Sequence, residues 1–96
     1  MNAKLKKKFR AIGHRLNPAV TVGGNGLVDS VLAELNRALD DHELIKVRIL
    51  ESSPLDHRQC ARELEADDTL ELVQVIGKTL VLFRPNPDQP IIQLPG

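Results

Sequence analysis

The chain has 96 residues, enough for one domain with a single core and too few for two. Hydrophobic residues make up 42% and charged residues 27%, an ordinary soluble composition, and no apolar run approaches the roughly 20 residues that a bilayer span needs. Thirteen basic residues balance thirteen acidic ones for a net charge of zero, but residues 1–28 hold six Lys or Arg and no carboxylate, so all thirteen acids lie from Asp29 onward. Such a split between the two ends points to a polyanion bound through one face, with the acidic remainder turned away and binding that weakens as salt rises. The N-terminal lysines have no apolar stretch behind them, which does not read as a secretory signal. Cys60 is the single cysteine, so no internal disulfide is available and a cytoplasmic, reducing setting is expected.

Leu5, Phe9, Ile12 and Leu16 recur at helical spacing and mark the buried stripe of a first helix. Lys4, Lys6, Lys7, Lys8 and Arg10 fill its other sides, and Gly13 with Pro18 is expected to punctuate its end. Residues 19–22 form a short β-branched strand. A second helix is expected from about Leu27, with Val28, Val31, Leu32, Leu35 and Leu39 apolar, ending near Asp41. In the strand over residues 44–50, Ile45, Val47 and Ile49 share one side and Lys46 and Arg48 the other. Ser53-Pro54 reads as a helix start, Ser53 capping and Pro54 first, for a third helix to about Ala66 with a thin apolar face of Cys60, Ala61 and Leu64. Residues 70–76 and 79–84 are strands joined by the two-residue turn Gly77-Lys78. The order is α-β-α-β-α-β-β: an α/β domain, sandwich-like, with helices packed on a four-stranded mixed sheet. It is expected to span residues 1–86, with the proline-rich segment 87–96 as a C-terminal tail.

The segment Val-Thr-Val-Gly-Gly-Asn-Gly-Leu (20–27) carries the sharpest functional signal. Here a strand passes through Gly23, Gly24, Asn25 and Gly26 into a helix with almost no side chain in the way. A bend of that kind leaves N–H groups open to a phosphate, and Gly-x-x-Gly loops of KH domains clamp nucleotide backbones by this means. The basic helix just upstream would supply the neutralising field, so bend and lysines are expected to share one exposed patch. Other motifs fail on inspection. Gly77-Lys78-Thr79 resembles the end of a nucleotide-binding P-loop, but Leu72 stands where that motif needs glycine, and a strand follows it. His57 and Cys60 are spaced like half a metal site with no second pair to complete it. Asp40, Asp41 and Glu43 cluster without a paired acid and base, and no Ser-His-Asp spacing exists. His14 is expected to cap the end of the first helix. With only Phe9 and Phe83 aromatic, recognition of backbone and shape is a better expectation than base stacking.

Three ordered blocks carry a resemblance. Val-Gly-Gly-Asn-Gly-Leu follows a basic helix, then comes His-Glu-Leu-Ile-Lys-Val-Arg-Ile (42–49), then Gln-Val-Ile-Gly-Lys-Thr-Leu-Val-Leu-Phe-Arg-Pro (74–85). Together they resemble YhbY, the bacterial stand-alone form of the CRM domain, an RNA-binding module also found in plant organelle splicing factors. The resemblance covers about Lys6 to Pro85. It implies a fold similar to the C-terminal domain of translation initiation factor three, and association with precursor large ribosomal subunits in the cytoplasm. By position, Gly23 to Gly26 would be the phosphate-facing loop, and Lys46, Arg48, Lys78 and Arg84 part of the basic surface. Family members often carry Lys where Asn17 and Gly24 stand in this chain, which leaves its loop less charged.

The expected function is non-catalytic binding of structured ribosomal RNA during large-subunit assembly, with the acidic side facing solvent or a protein partner such as a ribosomal protein. Lys7, Lys8 and Arg10 would join the loop and the four sheet cations in the RNA site. No catalytic residue, metal, cofactor, membrane or small-molecule substrate is implied. The rival reading is a protein-interaction adaptor that works through its acidic half.

Overall fold

Phe9, Ile12 and Leu16 need a partner surface, and a four-stranded sheet provides it; Leu5, expected on the same stripe, is only half-buried and outside both cores. The computed structural model describes residues 3–86, so the expected tail over 87–96 lies outside the described residues. Helix α1 (Ala3–Arg15) leads into strand β1 (Pro18–Val22), helix α2 (Asp29–His42) and strand β2 (Leu44–Ile49). Helix α3 (His57–Glu65) and the hairpin of β3 (Glu71–Ile76) and β4 (Thr79–Phe83) follow. The sheet runs β1-β2-β4-β3, with β1 parallel to β2 and the other pairs antiparallel, which is the mixed sheet expected.

Alternation along the strands divides the core into two. Val20, Val22, Ile45, Val47, Ile49, Leu80 and Leu82 face α2 and α3, meeting Leu35, Leu39, Cys60, Ala61 and Leu64. Leu44, Val81 and Phe83 point the other way with Val73 and receive Phe9, Ile12 and Leu16 of α1. Helix α1 therefore lies alone on one face. Phe9, fully buried, meets Phe83 with ring centroids 4.5 Å apart, a tilted pair that adds about 0.5–1.5 kcal/mol to its burial. A bulge between Leu72 and Gln74 turns both Val73 and Gln74 toward the α1 face.

Three local expectations are corrected. Gly13 does not end α1; it sits buried within it, pressed against Val81. Helix α2 begins at Asp29 rather than about Leu27, because Leu27 turns inward to pack on the core while Val28 takes the extended N-cap conformation. Helix α3 is capped not by Ser53 but by Asp56, whose side chain accepts from the Gln59 N–H (2.9 Å) while the Gln59 side chain accepts from the Asp56 N–H (3.0 Å). A carboxylate with a glutamine three residues on satisfies two donors at once, and here Asp56 is committed to that role. Ser53 instead folds its hydroxyl onto the Leu55 backbone, and Pro54 packs beneath Gly26.

At the opposite end of the sheet Glu43 links α2 to β2 at φ +61, almost fully buried. Its N–H donates to Leu39 (2.8 Å), its carbonyl accepts from the Arg84 N–H (2.9 Å), and its carboxylate accepts from the Asn86 N–H. The chain leaving β4 is thus fastened to the α2–β2 corner.

Candidate nucleic-acid interface

Strand β1 ends beside Ile49 of β2, and the chain then turns through Gly23–Gly26. The turn is closed by the Gly26 N–H donating to the Gly23 carbonyl at 3.0 Å. Gly26 has φ +71, and a Cβ there would come within 3.1 Å of Pro54 Cγ, so glycine is required twice over. Gly23 and Gly24 would admit a Cβ at ordinary contact distance. At the exposed tip, the N–H groups of Gly24 and Asn25 have no hydrogen-bond partner among the described residues. The helix that follows is a weaker anion site than a bare terminus, because Asp29 already puts a carboxylate in its first turn. The donors that a phosphate could reach are those of the tip.

The expected cations fall into three groups. Lys46 and Arg48 share the α1-facing side of β2. The Lys46 ammonium lies 3.4 Å from the His14 carbonyl at the end of α1, and Arg48 is exposed between Thr21 of β1 and Thr79 of β4. Lys78 stands in the adjacent hairpin turn, which shares this end of the sheet, and is paired with Glu51. The hydrogen bond from Lys78, together with its charge, holds the Glu51 carboxyl below its usual range.

Lys7, Lys8 and Arg10 are exposed on α1 but stand apart from the turn. Phe9 packs level with Leu44, whereas the turn is level with Ile49. Five residues of β2 therefore separate them, roughly 17 Å at about 3.3–3.4 Å per residue. The first turn of α1 contains no acid, so its lysines add to the positive end of the helix rather than offset it. By helical spacing Lys7 and Arg10 lie on the stripe that descends to His14, while Lys8 lies on the other flank with Arg15. The lysines and the glycine turn are thus two ends of one long basic face, joined by Lys46 and Arg48, rather than a single compact patch.

Arg84 has a different setting. Its Nε donates to Thr69 Oγ1 (3.0 Å) and its terminal nitrogen to Asp67 Oδ2 (3.1 Å), leaving the side chain 18% exposed. The Thr69 hydroxyl and backbone N–H, with Arg84 adding its charge, hold the Asp67 carboxyl below its ordinary value. This cluster fastens the α3–β3 turn to the end of β4.

Sequence reading missed the space where α1 ends over the sheet, a recess of about 120 Å³ lined by Gly13, His14, Lys46, Gln74, Ile76 and Thr79. The available signal was Gly13 itself, since a glycine on the apolar stripe of a helix marks a close approach. Among the described residues no group of three or more His, Cys, Asp or Glu side chains is placed to hold a metal, and no helix is long and apolar enough to cross a membrane. Cys60 is buried in the larger core, and that burial pushes its thiol up.

The model of the CRS1 / YhbY (CRM) domain matches residues 1–84. The chain belongs to the CRM family. It is 50% identical over 82 residues to a probable RNA-binding protein of Pseudomonas aeruginosa, covering 85% of this chain and 79% of that protein. It is 42% identical to an RNA-binding protein of Haemophilus influenzae, covering 99% and 95% of the two chains. The fold of this CRM domain matches the solution structure of a Staphylococcus aureus protein described as a candidate RNA binder, with a TM-score of 0.79, 30% identity and 99% coverage of both chains. RNA binding is therefore the coarse function of the family to which this domain belongs, and the relatives' names describe binding rather than catalysis.

Proposed function

We propose that this CRM domain binds structured ribosomal RNA on precursor large-subunit particles in the cytoplasm and assists their assembly without catalysing a reaction. The Gly24 and Asn25 N–H groups receive a phosphate, Gly23 and Gly26 shape the turn, and Lys46 and Arg48 hold the backbone as it crosses the sheet. Lys78 contributes where Glu51 releases it. Lys7, Lys8 and Arg10 extend the contact toward the start of α1, and Arg84 takes part only by keeping the far end of the sheet in place.

The observation that carries this reading is the run of unpaired donors and cations at one end of the sheet. Two free amides lie at a glycine tip on the chain that continues β1, whose Thr21 pairs with Arg48, and Lys46 lies two residues back along the same face of β2. Phosphate contacts of this type fix position without reading sequence. The test is sedimentation of cell extract through gradients at increasing salt, following the wild-type chain and a Lys46→Ala/Arg48→Ala variant. Wild type should move with large-subunit precursors at low salt and leave them as salt rises, while the variant stays near the top throughout. Association that ignores salt, or a variant that sediments like wild type, would sink the proposal.

A further inference from the structure

We infer that the recess at the end of α1 holds one unpaired pyrimidine base of the bound RNA, so that this domain reads a base as well as gripping a backbone. The inference rests on the RNA-binding reading above and adds a specificity subsite to it. The recess measures about 120 Å³, below the roughly 300–1,000 Å³ of pockets that enclose larger ligands, so it suits a single base rather than a stretch of chain.

Its walls and edges differ in character, as a base site requires. Val81 forms an apolar floor, and Ile76 stands at the rim with 58% of its surface exposed, more than any other large hydrophobic residue among the described residues. That isoleucine adds little to either core, and apolar faces of this kind sandwich bases that have left a stack. The polar edge comes from Gln74 and Thr79. Both are half-buried, and neither the amide nor the hydroxyl has a hydrogen-bond partner among the described residues. Between them they offer donors and acceptors to match the Watson–Crick edge of uracil or cytosine. Lys46 adds a donor held only by its long contact to His14.

The recess lies under the C-terminal carbonyls of α1, which accept the N–H groups of a base edge, while Lys46 on the lining holds the backbone that carries the base. Arg48, the cross-strand partner of Thr79, takes the adjoining phosphate, and the glycine turn lies farther along the same end of the sheet. Gly13 keeps α1 close enough to the sheet to bring the His14 backbone to the rim, since a Cβ there would collide with Val81.

The experiment uses four RNA hairpins with a common stem and loops of uridine, cytidine, adenosine or guanosine. Binding is measured for wild type and for a Gln74→Leu/Thr79→Val variant of nearly unchanged shape. Wild type should bind pyrimidine loops roughly tenfold tighter than purine loops, the worth of one good base contact. The variant should lose that preference while keeping wild-type affinity for the purine loops, which also reports that it folds. Uridine monophosphate added to the wild-type chain should shift the NMR signals of the Gln74 side-chain amide and the Ile76 methyls. Equal binding of all four loops, a purine preference, or a variant that keeps the preference would overturn the inference while leaving RNA binding intact. Failure to bind any hairpin would overturn both.

Discussion

Gly13 and Val81 meet where helix α1 crosses the sheet, and a Cβ on the glycine would stand 2.9 Å from Cγ1 of the valine. Val81 is buried and β-branched, so it cannot swing aside cheaply. Alanine in a helix interior normally gains up to about 1 kcal/mol over glycine. Here overpacking of about 1–3 kcal/mol should outweigh it. Gly13→Ala is therefore expected to destabilise the domain by about 1 kcal/mol in urea unfolding. In a Val81→Ala background the same change should become neutral or favourable. A purely helical effect would stabilise in both backgrounds.

Asp56, not Ser53, starts α3. Asp56→Ala should lower the melting temperature by several degrees, because it opens both hydrogen bonds of the capping box. Ser53→Ala should lower it less, since the Ser53 hydroxyl meets the Leu55 backbone and the Cys60 thiol and caps no helix donor. Thermal melts followed by circular dichroism separate the two.

Much of this fold was legible because its signals are local. The alternation of Ile45, Val47 and Ile49, the Gly77-Lys78 turn and the Phe9 and Ile12 positions of the first helix each lie within a few residues, and each formed as read. Signals that depend on distant partners were not legible. Nothing near Gly13 in the chain announces Val81, and nothing near Arg84 announces Thr69 and Asp67. The lysines and the glycine turn are neighbours in sequence, yet α1 runs along the sheet and carries them to different levels. Lys46 and Arg48, distant in sequence from both, are what connect them.

The Asp67 carboxyl sits below its ordinary value of 3.8 in the folded chain, chiefly through the Thr69 hydroxyl and N–H and also through Arg84. A depressed folded value means that the charged form is favoured on folding. The resulting stability is complete above the ordinary value and is lost as pH falls through the folded one. Urea midpoints for wild type and Asp67→Asn should differ most near neutral pH and converge below about pH 3.8. A gap that stays constant across the series would show that the carboxylate charge contributes nothing.

The tip of the glycine turn can be probed without touching the core. Asn25 is exposed, and its N–H and that of Gly24 are free among the described residues. Asn25→Asp places a negative charge at the proposed phosphate position while keeping the side chain's shape. RNA affinity in a filter-binding assay should fall several-fold with the melting temperature unchanged. Undiminished affinity would remove the turn from the contact surface.

Arg48 and Arg84 allow the sharpest separation of contact from scaffold. Arg48 is exposed on β2 opposite Thr21, toward the turn end of the sheet, whereas Arg84 is occupied by Thr69 and Asp67. Each phosphate contact removed should flatten the slope of log affinity against log salt by about 0.7–0.9. Arg48→Ala should weaken RNA binding and reduce that slope by one such step, with stability unchanged. Arg84→Ala should do the reverse, lowering the unfolding midpoint while the slope stays at the wild-type value. An unchanged slope for Arg48→Ala, or a flattened one for Arg84→Ala, would mean that the RNA runs along the opposite end of the sheet.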